Sequence, residues 1–161
     1  MNIKKLKEMR KNKKGFTLIE IIVVIVILAV LMAVAVPSVL NYINEADNAK
    51  FEAQARAVMN SAQTETVKEL VTADGITTAE LATVRSNIIS KCGVANVTDI
   101  KLYKGTGSIT GEGTDSLAYS GTELAGGETK ADVTDLVAVS MKIGDMEAVV
   151  VLNDKVYLGE N

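Results

Sequence analysis

The sequence contains no histidine and no tryptophan, and it has only one cysteine and one proline among its 161 residues. Without histidine, a Ser-His-Asp triad, a Cys-His pair and any histidine-ligated metal centre are excluded. Cys92 cannot form an intrachain disulfide, and we expect a small buried side chain there, with a reactive or intermolecular thiol as the alternative. The glycines between Gly105 and Gly111 have the wrong spacing for a dinucleotide-binding loop. The sequence therefore indicates no enzyme, no catalytic residues, no cofactor and no metal.

Charge is distributed unevenly along the chain. Of the 17 basic and 20 acidic residues, the first 15 positions hold seven basic residues and one acidic residue. The rest keeps ten basic and nineteen acidic residues, a net charge of −9. A nucleic-acid-binding surface requires a basic patch, so we expect nucleic acid not to be a partner. Three lysines of this acidic part are then solvated surface charges, namely Lys91, Lys101 and Lys104.

The longest apolar run, residues 16–40, follows the basic segment directly. It is interrupted only by Thr17, Glu20, Pro37 and Ser38. About 20 apolar residues suffice to cross a bilayer as a helix. The run is longer than the apolar core of a secretory signal, about 7 to 15 residues, and no obvious cleavage site follows it. We therefore predict a retained membrane helix, with the basic segment in the cytoplasm and the rest of the chain outside.

Two residues inside the run require an explanation. A charged side chain at the centre of a membrane helix costs about 2.5 to 3.5 kcal/mol on insertion scales, so Glu20 requires a partner or a purpose. Pro37 removes one backbone donor and crowds the preceding turn, which predicts a kink or local unwinding.

The start of the run matches a known pattern. The segment Lys13-Lys14-Gly15-Phe16-Thr17-Leu18-Ile19-Glu20, with Pro37 further along, resembles the N-terminal signature of type IV prepilins. The resemblance implies that a membrane prepilin peptidase cuts between Gly15 and Phe16 on the cytoplasmic side and methylates the new amine of Phe16. It makes Glu20 the fifth mature residue, where this family keeps a carboxylate. It also implies a pilus assembly platform and its ATPase machinery as partners.

Physical chemistry gives Glu20 a role beside this resemblance. A cut before Phe16 would create an ammonium group within about one helical turn of Glu20, at about 1.5 Å of rise per residue. Within one subunit, Glu20 would partly offset the charge of its own terminus. Between neighbouring subunits, pairing of the two charges would set the register of packed helices. The alternative for Glu20 is a carboxylate that only reaches the headgroups. For Pro37 the alternatives are a hinge, as the family implies, and a tolerated membrane proline.

The pattern after the apolar run predicts a globular domain over residues 41–161. Apolar residues three or four apart continue the helix to about residue 72, and Gly75 is a stop signal. A capping-box pattern from Thr77 to Glu80 opens a short helix over 78–91. The apolar stripe of the long helix comprises Phe51, Ala55, Val58, Ala62, Thr66 and Leu70.

The last third of the chain is predicted to be a connector followed by a sheet. The connector, residues 93–132, is rich in Gly and Thr and contains one convincing strand, Ile100–Tyr103. An antiparallel meander over 133–161 follows, with strands at 136–143, 146–152 and 156–158. Many pilins carry a C-terminal disulfide loop, so the lone Cys92 leaves the meander alone to hold the end of the domain.

Together these patterns predict an α+β chain of the type IV pilin fold, a long N-terminal helix packed on a C-terminal antiparallel sheet. The predicted parts are a cleaved leader over 1–15, a transmembrane or filament-core helix over 16–40, and an extracytoplasmic domain over 41–161.

The predicted function is a structural subunit that resembles the disulfide-free pilins of Gram-positive anaerobes. As a precursor it would lie in the cytoplasmic membrane, and it would polymerise with copies of itself into a surface filament for adhesion, surface motility or biofilm formation. Two alternatives stay open. One is a pseudopilin or minor pilin of a type II secretion or DNA-uptake machine, and the other is a monomeric membrane-tethered binding domain.

Overall fold

A computed structural model describes residues 15–72, 75–114, 116–129 and 135–159. Residues 1–14 of the predicted leader over 1–15 lie outside these residues, as do the end of the connector and the start of the meander at 130–134. The chain divides into two compact units, the first ending at Glu45 and the second beginning at Ala46. The described helices are α1, Leu18–Thr72, and α2, Thr78–Lys91. The described strands are β1, Gly75–Ile76; β2, Val97–Lys104; β3, Ile109–Thr110; β4, Ala118–Tyr119; β5, Thr122–Glu123; β6, Glu128–Thr129; β7, Leu136–Ile143; β8, Met146–Val151; and β9, Val156–Leu158.

Helix α1 confirms the long N-terminal helix and runs without interruption from Leu18 to Thr72. It continues through Pro37, so the local unwinding predicted there does not occur within this range. A proline removes only its own N–H from the ladder, and the hydrogen bonds of the neighbouring turns keep the helix intact on both sides. In the first unit, the large apolar side chains between Leu18 and Ile43 are 42 to 79% exposed.

In the second unit, α1 buries one stripe. Ala55, Val58 and Ala62 are completely buried, Thr66 is 2% exposed and Leu70 is 4% exposed. The predicted stripe is therefore confirmed, with Phe51 partly buried at its edge and Met59 added to it. The stripe belongs to the main core, which also contains residues of α2 and of the sheet.

Helix α2 begins with the predicted capping box. The Glu80 N–H donates to Thr77 Oγ1 at 3.3 Å, and the Thr77 N–H donates to Glu80 Oε2 at 2.8 Å. These two bonds satisfy backbone donors that have no partner within the first turn of a helix. At the other end, Cys92 is buried as predicted, and its Sγ lies 3.4 Å from the Ile89 carbonyl oxygen.

The principal sheet has five strands in the order β5-β2-β7-β8-β9, and all its neighbours are antiparallel. The strands β7, β8 and β9 form the predicted meander. The turn between β7 and β8 contains Gly144 at φ +63°, a left-handed conformation that glycine adopts at little cost. Ile143 and Met146 face each other beside this turn.

The connector departs from its prediction. Strand β2 is longer than the predicted Ile100–Tyr103, and it lies inside the sheet between β5 and β7. A bulge between Thr98 and Lys101, with Asp99 at φ +51°, breaks the two-residue alternation and hid the first half of this strand. The two-residue strands of the connector were also missed, because they are too short to show any period.

The two faces of the sheet are covered by different parts of the chain. Val139, Met141 and Val150 belong to the main core with α1 and α2. Ala138 and Val149 form a second cluster with Tyr103 of β2 and Tyr119 of β4. We call this second side of the sheet the outer face. The connector therefore folds back as the β3–β4 hairpin and covers part of the outer face.

The C-terminal strand has more support than the meander alone. The Lys155 Nζ donates to Glu112 Oε1 at 2.7 Å, and the Gly113 N–H donates to the Leu158 carbonyl at 2.9 Å. These bonds tie β9 to the turn after β3. The prediction that only the meander holds this end of the domain is therefore wrong. Local sequence patterns do not reveal these bonds, because the bonded residues lie more than forty residues apart along the chain.

Glu65 of α1 is a buried carboxylate, 5% exposed, with two lysine partners. Its Oε1 accepts from Lys68 Nζ at 2.7 Å, and its Oε2 accepts from Lys91 Nζ of α2 at 2.8 Å. The hydrogen bond from Lys68 and then that from Lys91 lower the pKa of Glu65. The prediction that Lys91 is only a solvated charge is wrong, because its ammonium joins the last turn of α2 to α1.

We predict that Glu65→Gln makes stability less dependent on pH. A lowered pKa stabilises the fold above the unfolded-state pKa, about 4.3, and this contribution is lost as the pH falls through the folded-state pKa. In denaturant unfolding of the chain in detergent micelles, the variant should be less stable than the wild type at pH 7. The difference should shrink below about pH 4.3.

The matched control for this experiment is Glu52→Gln, which removes an exposed carboxylate paired with Arg56 on the same helix at 2.9 Å. Exposed pairs contribute little, so its effect should be smaller at pH 7. A loss of stability in Glu65→Gln that stays constant from pH 7 to pH 3 would contradict the role assigned to Glu65.

We also predict that Thr77→Ala destabilises the second unit by about 1 kcal/mol, the usual cost of losing an N-cap side chain. Chemical denaturation monitored by circular dichroism measures the change. Thr78→Ala, one residue further into α2, is the control and should stay within about 0.5 kcal/mol of the wild type. Equal effects of the two substitutions would show that the cap contributes nothing specific.

Candidate assembly site

The candidate site lies at the start of α1, where the sequence analysis placed Gly15, Phe16 and Glu20. Gly15 and Phe16 precede the helix, and Phe16 is 77% exposed. Apart from its chain neighbours, no described residue lies within 4 Å of a Cβ atom built on Gly15. The described part of the structure therefore leaves space for a side chain at position 15.

Thr17 caps the first turn of α1. The Glu20 N–H donates to Thr17 Oγ1 at 3.3 Å and to the Thr17 carbonyl at 3.1 Å, and the Ile21 N–H donates to the same carbonyl at 3.3 Å. The sequence analysis did not predict this cap. The signal was present, because Thr17 and Glu20 have the same Thr-x-x-Glu spacing as Thr77 and Glu80.

The two Thr-x-x-Glu pairs differ in what the glutamate does. At α2 the Glu80 carboxylate accepts a bond back from the Thr77 N–H. At α1 the Glu20 carboxylate is exposed and forms no hydrogen bond or ion pair with any residue that the structure describes. Its position in the first helical turn is favourable for an anion, because the N-terminal end of a helix carries a partial positive charge. Glu20 thus presents an available negative charge.

The part of α1 that directly follows Glu20 is apolar on all sides. Among the described residues, α1 is the one helix long and apolar enough to cross a membrane, with a mean hydropathy of 3.3 in its most apolar window. None of this most apolar stretch of α1 is buried by other residues that the structure describes. An apolar surface of this extent marks contact with lipid or with other protein surfaces. This arrangement suits a membrane-anchored precursor.

Pro37 lies on the same helix but not near Glu20. Pro37 lies seventeen positions after Glu20, which corresponds to about 25 Å along the helix at the standard rise. The structure thus brings Gly15, Phe16, Thr17 and Glu20 together and leaves Pro37 apart. Among the residues described, no group of three or more His, Cys, Asp or Glu side chains could hold a metal ion.

Comparison with known families bears on this segment. A family model described as the prokaryotic N-terminal methylation motif matches residues 10–36. No curated protein and no solved structure gives a significant match to the chain. The motif implies processing by a prepilin peptidase and assembly of the pilus type. This match, together with the long N-terminal helix and the antiparallel sheet, supports the interpretation of the chain as a type IV pilin-like prepilin with a class III signal peptide.

Proposed function

We propose that the chain is the structural subunit of an extracellular type IV filament. The prepilin peptidase cuts between Gly15 and Phe16, the new amine of Phe16 is methylated, and mature chains polymerise through α1. The observation that carries this proposal is the Glu20 carboxylate, which has no partner among the described residues and lies at the start of an apolar helix that none of them covers. The methylation motif over residues 10–36 supports it.

Cleavage supplies the charge that Glu20 lacks. The new ammonium of Phe16 lies four residues before Glu20, about one turn of helix. A carboxylate surrounded by apolar side chains is costly to bury alone, and removing its partner leaves an uncompensated charge. Pairing with the amine of a neighbouring subunit satisfies both charges and fixes the axial position of one helix against the next. Apolar packing between helices has no such register of its own.

The proposed function also implies a location for the precursor and partners for its assembly. The precursor lies in the cytoplasmic membrane with its leader in the cytoplasm and its second unit outside. An assembly platform with its ATPase lifts the processed subunit out of the bilayer, and Pro37 supplies a hinge in α1 during this transfer. The filament then serves adhesion, surface motility or biofilm formation.

We predict that Gly15→Val blocks maturation. A peptidase pocket that accepts glycine excludes a branched side chain, whereas the chain itself has free space at this position. Mass spectrometry of the wild-type filament should find methylated Phe16 at the N-terminus, and Gly15→Val should accumulate with its leader attached. The unfolding midpoint of the second unit should be the same in both chains, which separates a processing defect from misfolding. Complete processing of Gly15→Val would contradict the proposal.

The second test concerns Glu20. Glu20→Gln keeps the shape of the side chain and removes its charge, so the variant should insert into the membrane at least as well as the wild type. We expect it to be processed but to yield at least about tenfold fewer filaments, since an unpaired terminal ammonium in an apolar bundle costs more than the 1.4 kcal/mol that corresponds to tenfold. Electron microscopy and the amount of sheared surface filament measure the effect.

Glu45→Gln is the matched control, because Glu45 is another exposed carboxylate on α1. It should assemble normally. Wild-type amounts of filament from Glu20→Gln would refute the charge pairing. If wild-type subunits were processed but remained in a short membrane complex with no surface filament, the pseudopilin function would replace the one proposed.

A further inference from the structure

A pocket of about 180 Å³ opens on the outer face of the sheet, in the second unit. Residues of β2, β7 and β8 line it, and the β4 residues Ala118 and Tyr119 form one wall. We call it the outer-face pocket. Since one water molecule occupies about 30 Å³ of liquid, the space corresponds to about six waters. The space can hold a group the size of one sugar ring.

The lining combines apolar side chains with several charged ones. Lys101 pairs with Ser140 across β2 and β7, and Lys142 follows two residues later on the same face. Glu147 of β8 lies directly opposite Lys142 in the register. Asp99 completes the set, placed there by the bulge in β2. The pocket therefore offers two ammonium groups, two carboxylates and a hydroxyl.

The two lysines of the pocket form no ion pair with a described carboxylate. Elsewhere in the second unit, several basic side chains hold a carboxylate at 2.7 to 3.0 Å: Arg56, Lys68, Arg85, Lys91 and Lys155. Lys101 and Lys142 form no ion pair with any residue of the described ranges, even though Glu147 faces Lys142. Their charges are available to an anionic group.

The apolar wall of the pocket is held in place. The rings of Tyr103 and Tyr119 meet edge to face with centroids 5.2 Å apart, and the Tyr119 hydroxyl donates to the Gly105 carbonyl at 3.2 Å. Gly107 and Gly121 lie so close to the Tyr119 ring that a Cβ atom at either position would overlap it. The Tyr103 hydroxyl and Ser140 Oγ are 3.3 Å apart. A wall ordered before binding lowers the entropy lost on association.

We propose that the outer-face pocket binds an anionic saccharide unit, a hexuronate. Lys101 and Lys142 hold its carboxylate. Asp99 and Glu147 accept hydrogen bonds from ring hydroxyls, Ser140 contacts a further hydroxyl, and the Tyr119 wall covers the apolar side of the ring. A carboxylate and several hydroxyls on one small ring use both signs of charge in this pocket. The site goes beyond the filament function, and binding does not require assembly.

The test uses the full-length chain in detergent micelles and saturation-transfer NMR. The probes are methyl glucuronide, the neutral methyl glucoside of the same shape, and L-glutamate as a zwitterion without a sugar ring. We expect saturable binding of the glucuronide and at least about tenfold weaker binding of the glucoside, because the glucoside lacks the carboxylate that the two lysines would hold. Absence of saturable glucuronide binding, or equal binding of the glucoside or of L-glutamate, would overturn the proposal.

Substitutions localise the binding. The double variant Lys101→Gln/Lys142→Gln should bind the glucuronide at least about tenfold more weakly, with an unchanged unfolding midpoint. The control Lys50→Gln removes an exposed ammonium of α1 and should bind like the wild type. Equal loss in the control, or none in the double variant, would show that the pocket is not the site.

A second measurement uses the wild-type chain alone, so it does not depend on the folding of any variant. Glucuronide should slow reductive methylation of Lys101 and Lys142 relative to Lys50, as measured by mass spectrometry. If saturating ligand leaves the rates at Lys101 and Lys142 unchanged relative to that at Lys50, the proposed contacts are rejected.

Discussion

The exposed apolar surface of α1 between Leu18 and Ile43 is the constraint on which the function of the protein depends. No residue that the structure describes covers this surface, so its stable environments are a bilayer or another apolar protein surface, which in the proposed filament is a further copy of the same helix. Both environments are apolar, and neither distinguishes one axial position of the helix from another. We propose that Glu20 supplies that distinction because its charge must find a partner, and that cleavage after Gly15 creates one four residues away. In the proposed mechanism, apolar packing holds the subunits together and one pair of charges positions them.

The second unit meets the opposite requirement, since it must remain folded in water without a disulfide. The buried stripe of α1 and one face of the sheet share the main core, and Glu65 connects α1 to α2 through Lys91. The connector covers part of the outer face, and Glu112 holds the C-terminal strand through Lys155. These polar links join segments that are far apart in sequence, as a disulfide would. The outer-face pocket lies in this unit and is separate from the residues proposed for assembly.

Much of this could be read from the chain because the signals are local. Periods of three to four residues identified α1 and its stripe, the Thr77–Glu80 spacing identified the cap of α2, and alternation identified β7 to β9. Residues 13–20 identified the cleavage motif by residue type and spacing alone. The cap at Thr17 was equally local but was not predicted, because the apolar run around it dominates the pattern there.

What the sequence determined by itself is therefore the long helix, the meander and the motif at Gly15, Phe16 and Glu20, all encoded within a few consecutive turns or strands. The tertiary structure decided the rest. The bulge at Asp99 concealed the first half of β2, so its place beside β7 followed only from strand pairing. The contact of Glu65 with Lys91 and the partners of Lys155 and Tyr119 depend on how distant segments meet. Local spacing carries no information about such contacts, because their free energy arises only after the chain has folded and brought the groups together.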